Sequence, residues 1–404
     1  MRNQSSIVGR KSVPAKKSKS DFKEATNISR CLLTLLGLWL SENPTKLLKK
    51  VLLDLSIVIC YFLIFFLLIP CALHTFIIEK KPKKQMKMIG PMSFCVMALI
   101  KYFFMIIRRE KIRGCLHHIE IDWRRVESLE DREIMVKNAK IGRFITSLCA
   151  TFMYSGGFFY RTILPFALPR KLLPDNTTMR PLPYPVYRPL FNSQNTPVYE
   201  IVFTTQWFGG FVIYTITVAA CSLAAVLTLH ACGQLKIVMS RLNDFVENSV
   251  GTDKTLTSKL GEIVDLHFRA LQFAVKIEGL LNEICFVEFI GCTMNICFLG
   301  YYLITELEQG EKSWDNCIHD KLVRTSREEC EWFDYTSGHV QLSSDNYSWK
   351  NGGVVICHFL QCGVSRILFI FSTDNEDPEA LTVDLLQVLK TAMAYFNLLK
   401  SVIL

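Results

Sequence analysis

Histidine, cysteine and acidic side chains are the groups that could carry out catalysis or hold a metal, and this sequence arranges none of them in a recognisable set. None of the eight histidines stands at a motif spacing from a serine, cysteine or carboxylate that would support nucleophilic or acid–base chemistry. The fifteen cysteines include no Cys-x-x-Cys pair, the spacing found in many zinc sites. We therefore expect a protein that is not an enzyme and that uses no metal and no cofactor.

Asp54, Lys101 and Glu288 are ionisable residues within predominantly apolar stretches. Within a membrane such residues are costly and often functional. Asp54 and Lys101 lie near the predicted cytoplasmic ends of their stretches, so we expect their side chains to reach the polar interface rather than to relay protons. Glu288 lies deeper and is a candidate for the interior of a helix bundle.

The apolar stretches that would position these residues are long enough to cross a membrane. Half of the 404 residues are hydrophobic, and the mean hydropathy is +0.24. About 20 apolar residues cross the roughly 30 Å of hydrocarbon in a bilayer. We predict an all-α polytopic membrane protein with an N-terminal segment (1–50) and a seven-helix domain (51–404). The predicted spans are 51–78, 88–107, 144–168, 200–229, 284–304, 352–371 (the weakest) and 381–404.

The distribution of basic residues predicts the orientation of these spans. Eleven Lys and Arg residues lie within 1–50, ten within 108–143 and six within 229–284, all on one side of the predicted membrane. The lysine-rich segment 79–87, on the other side, holds five. Because cytoplasmic loops carry an excess of Lys and Arg, we predict a cytoplasmic N-terminus and an extracellular C-terminus. This orientation is the reverse of a G-protein-coupled receptor, and the basic loops account for the net charge of +9 without a nucleic-acid partner.

The predicted outer halves of spans two to four are rich in aromatic and small residues. Small residues allow helices to approach closely, and aromatic side chains beside them can line an apolar pocket. An aromatic belt at the membrane interface would give the same pattern, so both interpretations stay open. The candidates for a pocket are Phe94, Met97, Met153, Tyr154, Gly157, Tyr160, Trp207, Phe211 and Tyr214.

Two stretches on the predicted cytoplasmic side, 111–129 and 256–284, carry apolar residues at helical spacing. An amphipathic helix needs another apolar surface to cover its apolar face. We expect these helices either to extend the spans and pack within the chain or to pack against another subunit.

Four sequence elements resemble the insect odorant receptor family. LTLLGLWL precedes the first span, HHIEIDWRRV follows the second, HACGQLKIVMSRL follows the fourth, and VLKTAMAYFNLLKSVIL closes the chain and is the most specific. The likeness covers about 31–305 and 375–404, whereas 306–372 departs from the family pattern. The second cytoplasmic loop is short, so the chain is similar to a tuning subunit rather than to the co-receptor. A gustatory-type receptor of the sister family is the alternative, although its Thr-Tyr…Gln-Phe ending is absent.

This resemblance implies a function. Members of the family bind volatile odorants in an apolar pocket and form non-selective, ligand-gated cation channels as heterotetramers with a co-receptor, in the plasma membrane of sensory dendrites. Their last helix lines the pore. On this sequence the resemblance assigns Tyr395, Leu398, Ser401 and Val402 to the pore, with Leu398 and Val402 as a gate one helical turn apart. The predicted outer loop also contains Asn176, which begins an Asn-Thr-Thr sequon and is a candidate for glycosylation.

Overall fold

The structure is a computed structural model that describes residues 15–39, 47–126, 128–163, 166, 180–187, 189–190, 193–247 and 253–325. Helices make up most of this part of the chain, as the sequence predicts for an all-α protein. The helices are α1 (Ala15–Leu35), α2 (Leu47–Leu73), α3 (Pro82–Ile107), α4 (Arg109–Arg125), α5 (Leu129–Phe158), α6 (Val198–Glu247) and α7 (Asp253–Thr325). Single turns of π-helix, His74–Ile78 and Phe159–Ile163, continue α2 and α5.

Within the described residues, the first five predicted spans fall on α2, α3, α5, α6 and α7, and spans one and three continue onto the π-helical turns. Several of these helices are longer than the predicted spans, because the amphipathic stretches beside the spans continue as helix. The side-chain oxygen of Ser128, for example, accepts a hydrogen bond from the Glu130 amide (3.2 Å) and caps the start of α5, well before the predicted span begins. Predicted spans six and seven, residues Tyr395, Leu398, Ser401 and Val402, and Asn176 lie outside the described residues.

Three helices in the described part of the chain are long and apolar enough to cross a membrane by length and composition. They are the regions Lys50–Ile78, Lys84–Ile107 and Val198–Glu247. The α2 region has an apolar surface that faces away from the bundle, as lipid contact requires. The large apolar side chains exposed on it include Leu52, Val58, Phe62, Phe65 and Ile69.

Helix α6 lies at the centre of the bundle and contacts α1, α2, α3, α5 and α7. Its middle section is buried on nearly every side and is made of small or branched residues. Gly209 shows how closely the helices approach, because a Cβ atom placed on it would lie 2.5 Å from Leu67 Cδ1 of α2. Small residues at such contacts allow helices to pack tightly in a membrane, where lipid provides no hydrophobic driving force for association.

The bundle has two chemically different ends. The basic end consists of α1, α4, the beginnings of α5 and α7, and the last part of α6, joined by ion pairs. Arg132 contacts Asp21 at 2.6 Å, and Arg241 contacts Asp131 at 2.7 Å. Helix α4 covers most of the predicted 111–129 stretch and packs within the chain, with Trp123 among its buried residues.

The aromatic end consists of the outer parts of α3, α5 and α6, the π-helical turn Phe159–Ile163 and the segment 180–187. Most of the predicted pocket residues are in this end, because α5 runs toward it and α6 begins there. The segment 180–187 returns to the bundle and buries Tyr184 and Val186. The two helices and this segment therefore converge on one region.

Candidate functional site

Aromatic rings from α5 and α6 stack in a row at the aromatic end. The Tyr154 ring lies 5.3 Å from the Phe211 ring, and the Trp207 ring lies 6.4 Å from Phe211 in a nearly parallel plane. The Trp207 indole donates a hydrogen bond to the Thr162 hydroxyl (3.2 Å), and the Tyr154 and Thr215 hydroxyls are 2.9 Å apart. Phe211 is 38% exposed, so this row forms the outer side of the site, where an aromatic belt would also lie.

A second group of rings lies inside the bundle around Tyr214. The ring of Phe94, from α3, is 6.0 Å from that of Tyr214. Gly157 of α5 lies against the same ring, and a Cβ atom placed on it would be 2.0 Å from Tyr214 Cε2. Tyr160, on the π-helical turn, meets Tyr184 edge-on with the ring centres 6.5 Å apart. The structure thus brings four predicted site residues into one interior cluster of α3, α5 and α6.

The two predicted methionines lie in contacts between helices. Met97 of α3 packs beside Gly291 of α7, where a Cβ atom would come within 3.3 Å of Met97 Cγ. Met153 of α5 is buried in the apolar core. Met97 therefore contacts a helix that contributes no ring to either aromatic group described above.

Arg161 is the central polar residue of the site, and the sequence prediction missed it. It lies on the π-helical turn and is only 2% exposed. Its Nε donates to the Tyr214 hydroxyl (3.2 Å), its Nη1 to the Gln206 carbonyl (2.6 Å) and its Nη2 to the Tyr184 hydroxyl (3.2 Å). The guanidinium carbon also lies 4.9 Å and 5.4 Å from the ring centres of Tyr184 and Tyr214, within the range of a cation–π interaction.

A second glycine makes room for this guanidinium group. A Cβ atom on Gly210 of α6 would lie 1.9 Å from Arg161 Cζ. Any larger residue at this position would displace the arginine. Gly210 and Gly157 therefore allow two large side chains, Arg161 and Tyr214, to occupy the space between α5 and α6.

Gln206 fixes the 180–187 segment over the site. Its Oε1 accepts from the Tyr184 amide (3.2 Å), and its Nε2 donates to the Tyr184 carbonyl (3.1 Å). The buried backbone of Tyr184 is thereby paired as it would be in a sheet, which avoids the cost of unpaired polar groups. Arg161 and Gln206 could have been found from the sequence, because both interrupt predicted spans and polar residues there are functional candidates.

Lys101 and Glu288 form a buried ion pair in the middle of the bundle. Lys101 Nζ lies 2.7 Å from Glu288 Oε2 and also donates to the Thr217 hydroxyl (3.2 Å). The two side chains are 2% and 11% exposed. The expectation that Lys101 reaches the interface is wrong, since the rotation of α3 directs its side chain to α6 and α7. Glu288 faces the interior, as the sequence suggested.

The basic end contains a separate polar cluster centred on Asp122 of α4. Its carboxylate lies 2.9 Å from His230 Nε2 and accepts from Arg269 Nε at 2.7 Å. Burial alone would raise the pKa of Asp122, but His230, His118 and Arg269 together lower it. Burial lowers the pKa of His118 to about 4, and its ring stacks on Phe273 at 4.7 Å. A cavity of about 20 Å³ beside this cluster is lined by Trp123 and His230, among others, and has room for about one water.

The fold and these features define a polytopic helical membrane protein with an interior aromatic site. A sequence profile described as 7tm Odorant receptor matches residues 81–310. The chain belongs to the insect odorant receptor family, whose members are receptors and not enzymes. It is accordingly a multi-pass membrane protein of that family.

Two curated proteins from mosquitoes are similar to this chain. Odorant receptor Or2 of Anopheles gambiae is 23% identical over 212 residues, which cover 51% of this chain and 53% of that protein. Odorant receptor 10 of Aedes albopictus is 27% identical over 135 residues, which cover 32% of this chain and 35% of that protein. The chain therefore matches about half and about a third of the lengths of these relatives.

Two solved structures of the olfactory receptor OR5 from Machilis hrabei share the fold. The first is 11% identical, with a TM-score of 0.61, and the match covers 94% of this chain and 99% of that one. The second, in complex with eugenol, is 13% identical, with a TM-score of 0.59, and the match covers 96% of this chain and 99% of that one.

Proposed function

We propose that this chain is the odorant-binding subunit of a non-selective cation channel that it forms with a co-receptor. Membership of the odorant receptor family carries this proposal. The interior rings at the aromatic end supply the apolar surface that a small volatile ligand needs, and a receptor of the same fold has been solved with eugenol bound. The proposed location is the plasma membrane of sensory dendrites.

The interior cluster around Tyr214 is the proposed odorant site, with Phe94, Gly157 and Tyr160 beside it. The stacked row of Tyr154, Trp207 and Phe211 would form its outer wall. Met97 and Met153 would line the inner side of the site, where flexible apolar side chains can adapt to ligands of different shape. Odorants are small, so most of the binding free energy would come from burial of their apolar surface.

The proposed orientation places the basic end in the cytoplasm and the aromatic end toward the outside. The excess of Lys and Arg in the loops of the basic end supports it. In this orientation Asn176 would be accessible to glycosylation. We propose the same division into a cytoplasmic segment (1–50) and a seven-helix receptor domain (51–404).

Helix α7 offers a surface for the co-receptor. In the 256–284 stretch, one face packs within the chain and buries Phe273 and Leu280, while the opposite face leaves large apolar side chains exposed. Those side chains are Leu260, Val264, Phe268, Leu271 and Val275. An apolar stripe of this length on a polar part of the chain is typical of a subunit contact. It supports a contact with a co-receptor subunit, and the proposed assembly is a heterotetramer with Tyr395, Leu398, Ser401 and Val402 at its pore.

Co-expression with a co-receptor and recording of odorant-evoked current tests this proposal. We expect odorants to evoke a cation current larger than that of cells expressing the co-receptor alone. Surface labelling of the chain in the same cells controls for expression. A receptor at the surface that adds no current across a broad panel of small apolar odorants would overturn the proposed function.

A further inference from the structure

The aromatic end holds a buried positive charge with no negative partner among the described residues. All hydrogen-bond acceptors of Arg161 are neutral oxygens, and no carboxylate of the described residues forms an ion pair with it. Removing a guanidinium from water is costly unless an opposite charge is near. Two ring faces compensate only part of that cost.

The guanidinium also has N–H donors that form no hydrogen bond with the described residues. An arginine has five N–H donors, and Tyr214, Gln206 and Tyr184 accept three hydrogen bonds from Arg161. The two remaining donors lie on the terminal nitrogens. They form no hydrogen bond with the described residues, so a ligand acceptor at this position would not have to replace an existing one.

The backbone at Arg161 is also unusual. Residues Phe159–Ile163 form a single π-helical turn at the end of α5, and such turns occur frequently at functional sites. This turn carries Arg161 beside the Tyr160, Tyr184 and Tyr214 rings. The charge therefore lies within the apolar cluster that would receive an odorant.

We propose that Arg161 selects the ligands of this receptor and that the preferred ligands are small, mostly apolar carboxylates, the ionised forms of carboxylic acids. This inference rests on the proposed function. A carboxylate supplies the missing negative charge and can accept two hydrogen bonds from one guanidinium. Its hydrocarbon part would contact the rings of Phe94, Tyr160 and Tyr214, so the site matches both parts of such a molecule.

A structural role for Arg161 is the competing explanation, because the residue also links the 180–187 segment to α6. A purely structural arginine would influence all ligands alike. A selecting arginine would distinguish a carboxylate from a neutral molecule of the same length. Matched series of carboxylic acids, their methyl esters and the corresponding alcohols separate the two roles.

The first measurement records currents from the receptor with its co-receptor for these three series at neutral pH. We expect the acids to act at concentrations at least about tenfold lower than the esters and alcohols, which corresponds to about 1.4 kcal/mol. Binding is read separately as the thermal stabilisation of the solubilised complex by each ligand. Acids that are no more potent and no more stabilising than their esters would overturn the inference while leaving the proposed function intact.

The second measurement uses Arg161→Gln, with Arg180→Gln as the matched control. Arg180 also contacts the start of α6, through Glu200, and Thr196 just before it, but it is exposed. We expect Arg161→Gln to lose the preference for acids while the responses to esters remain within about threefold, and Arg180→Gln to change neither. An equal loss for all three series in Arg161→Gln at normal surface level would show a structural role instead.

Arg161→Lys keeps the charge and guards against a variant that fails to fold. We expect it to retain part of the acid preference, because a lysine attracts a carboxylate but cannot bind it through two parallel hydrogen bonds. If Arg161→Gln does not reach the surface, the test uses the original receptor and Arg161→Lys. The ratio of acid potency to ester potency in these two proteins then shows whether Arg161 selects carboxylates. No response and no thermal shift with any ligand, at normal surface level, would overturn the proposed function together with this inference.

Discussion

Two buried cations in this bundle have opposite surroundings. Lys101, in the middle of the bundle, meets the Glu288 carboxylate at 2.7 Å. Arg161, at the aromatic end, meets three neutral oxygens and two aromatic faces. A buried cation with its carboxylate can link two helices without any further partner, whereas one among neutral groups still lacks a counter-charge. The difference separates a position that joins α3 to α7 from the one that we propose binds a ligand.

The largest expected effect is that of Glu288→Gln, which removes the counter-charge of Lys101. Breaking a buried ion pair from one side costs about 3–5 kcal/mol, because an uncompensated charge stays inside. We expect a large fall in the apparent melting temperature of the solubilised receptor and in its surface level. The double variant Lys101→Met/Glu288→Leu is the control, and it should recover most of the lost stability. If the double variant is as unstable as the single one, the lost stability does not come from the unpaired charge of Lys101.

Tyr214→Phe tests the surroundings of Arg161, the second buried cation of the comparison. It removes a neutral acceptor from Arg161, where a hydrogen bond to a charged group is worth about 1.5–3 kcal/mol. The matched change at the ion pair is Thr217→Val, which removes the neutral acceptor of Lys101 but leaves Glu288. We expect Thr217→Val to cost less than Tyr214→Phe, because the Glu288 carboxylate still pairs with the Lys101 ammonium. Thermal unfolding of both variants in the same detergent measures the two costs. Equal costs would remove the distinction between the two cations.

Gly157→Ala displaces the Tyr214 ring without altering its chemistry. The new Cβ atom would lie 2.0 Å from that ring, and overpacking of this kind costs about 1–3 kcal/mol. The control is Gly279→Ala on α7, where nothing lies within 4 Å of the added atom and the helix should gain slightly. We also expect Gly157→Ala to weaken odorant responses more than Gly279→Ala, measured as the ligand concentration for half-maximal current.

A fall in pH should lower the stability of the receptor through groups at the basic end. It should leave the Lys101–Glu288 ion pair and the hydrogen bonds of Arg161 unchanged. The pKa of His118 falls from 6.5 to about 4 on folding, so the unfolded chain binds the proton more readily between these values. Stability is therefore fully present above about pH 6.5 and is lost as the pH falls toward 4. The lowered pKa of Asp122 acts in the same direction at still lower pH.

We expect His118 to account for about 1–2 kcal/mol of the stability lost between pH 7.5 and 5, at about 1.4 kcal/mol for each unit of pKa shift. Thermal unfolding across that pH range measures the loss, and His118→Phe should make the curve flatter because a phenylalanine keeps the stacking on Phe273. Asp122, His230, Arg269 and Lys276 all act on His118 or its partners. A curve unchanged by His118→Phe would show that His118 does not carry the acid sensitivity.

Hydropathy and helical spacing predicted the all-α fold and the helices on which the first five spans fall, because a helix that long and apolar is recognisable from a single chain. The same pattern could not predict the extent of α6 and α7, because amphipathic extensions are neither apolar enough to count as spans nor polar enough to count as loops. The segment 180–187 was not predicted to approach the site. Its position depends on the two hydrogen bonds between Gln206 and the Tyr184 backbone.

The aromatic and small residues of the site were visible in the sequence, but their arrangement was not. Gly157 and Tyr214 were both candidates, and the structure shows that the glycine accommodates the tyrosine ring. Phe211 was a candidate too, yet it lies on the outer side of the site. Which face of a helix points inward depends on the rotation of that helix against its neighbours, and residue types alone leave this rotation undetermined.

The sequence by itself determined that this protein is a helical membrane protein of the odorant receptor family, since length, hydropathy and local motifs are properties of neighbouring residues. Only the tertiary structure decided the partners of the buried charges. Arg161 meets groups from α6 and the 180–187 segment, and Lys101 meets Glu288, which is 187 positions away in the chain. Contacts between residues so far apart depend on how the helices pack, and this packing gives one cation a carboxylate and leaves the other among neutral oxygens.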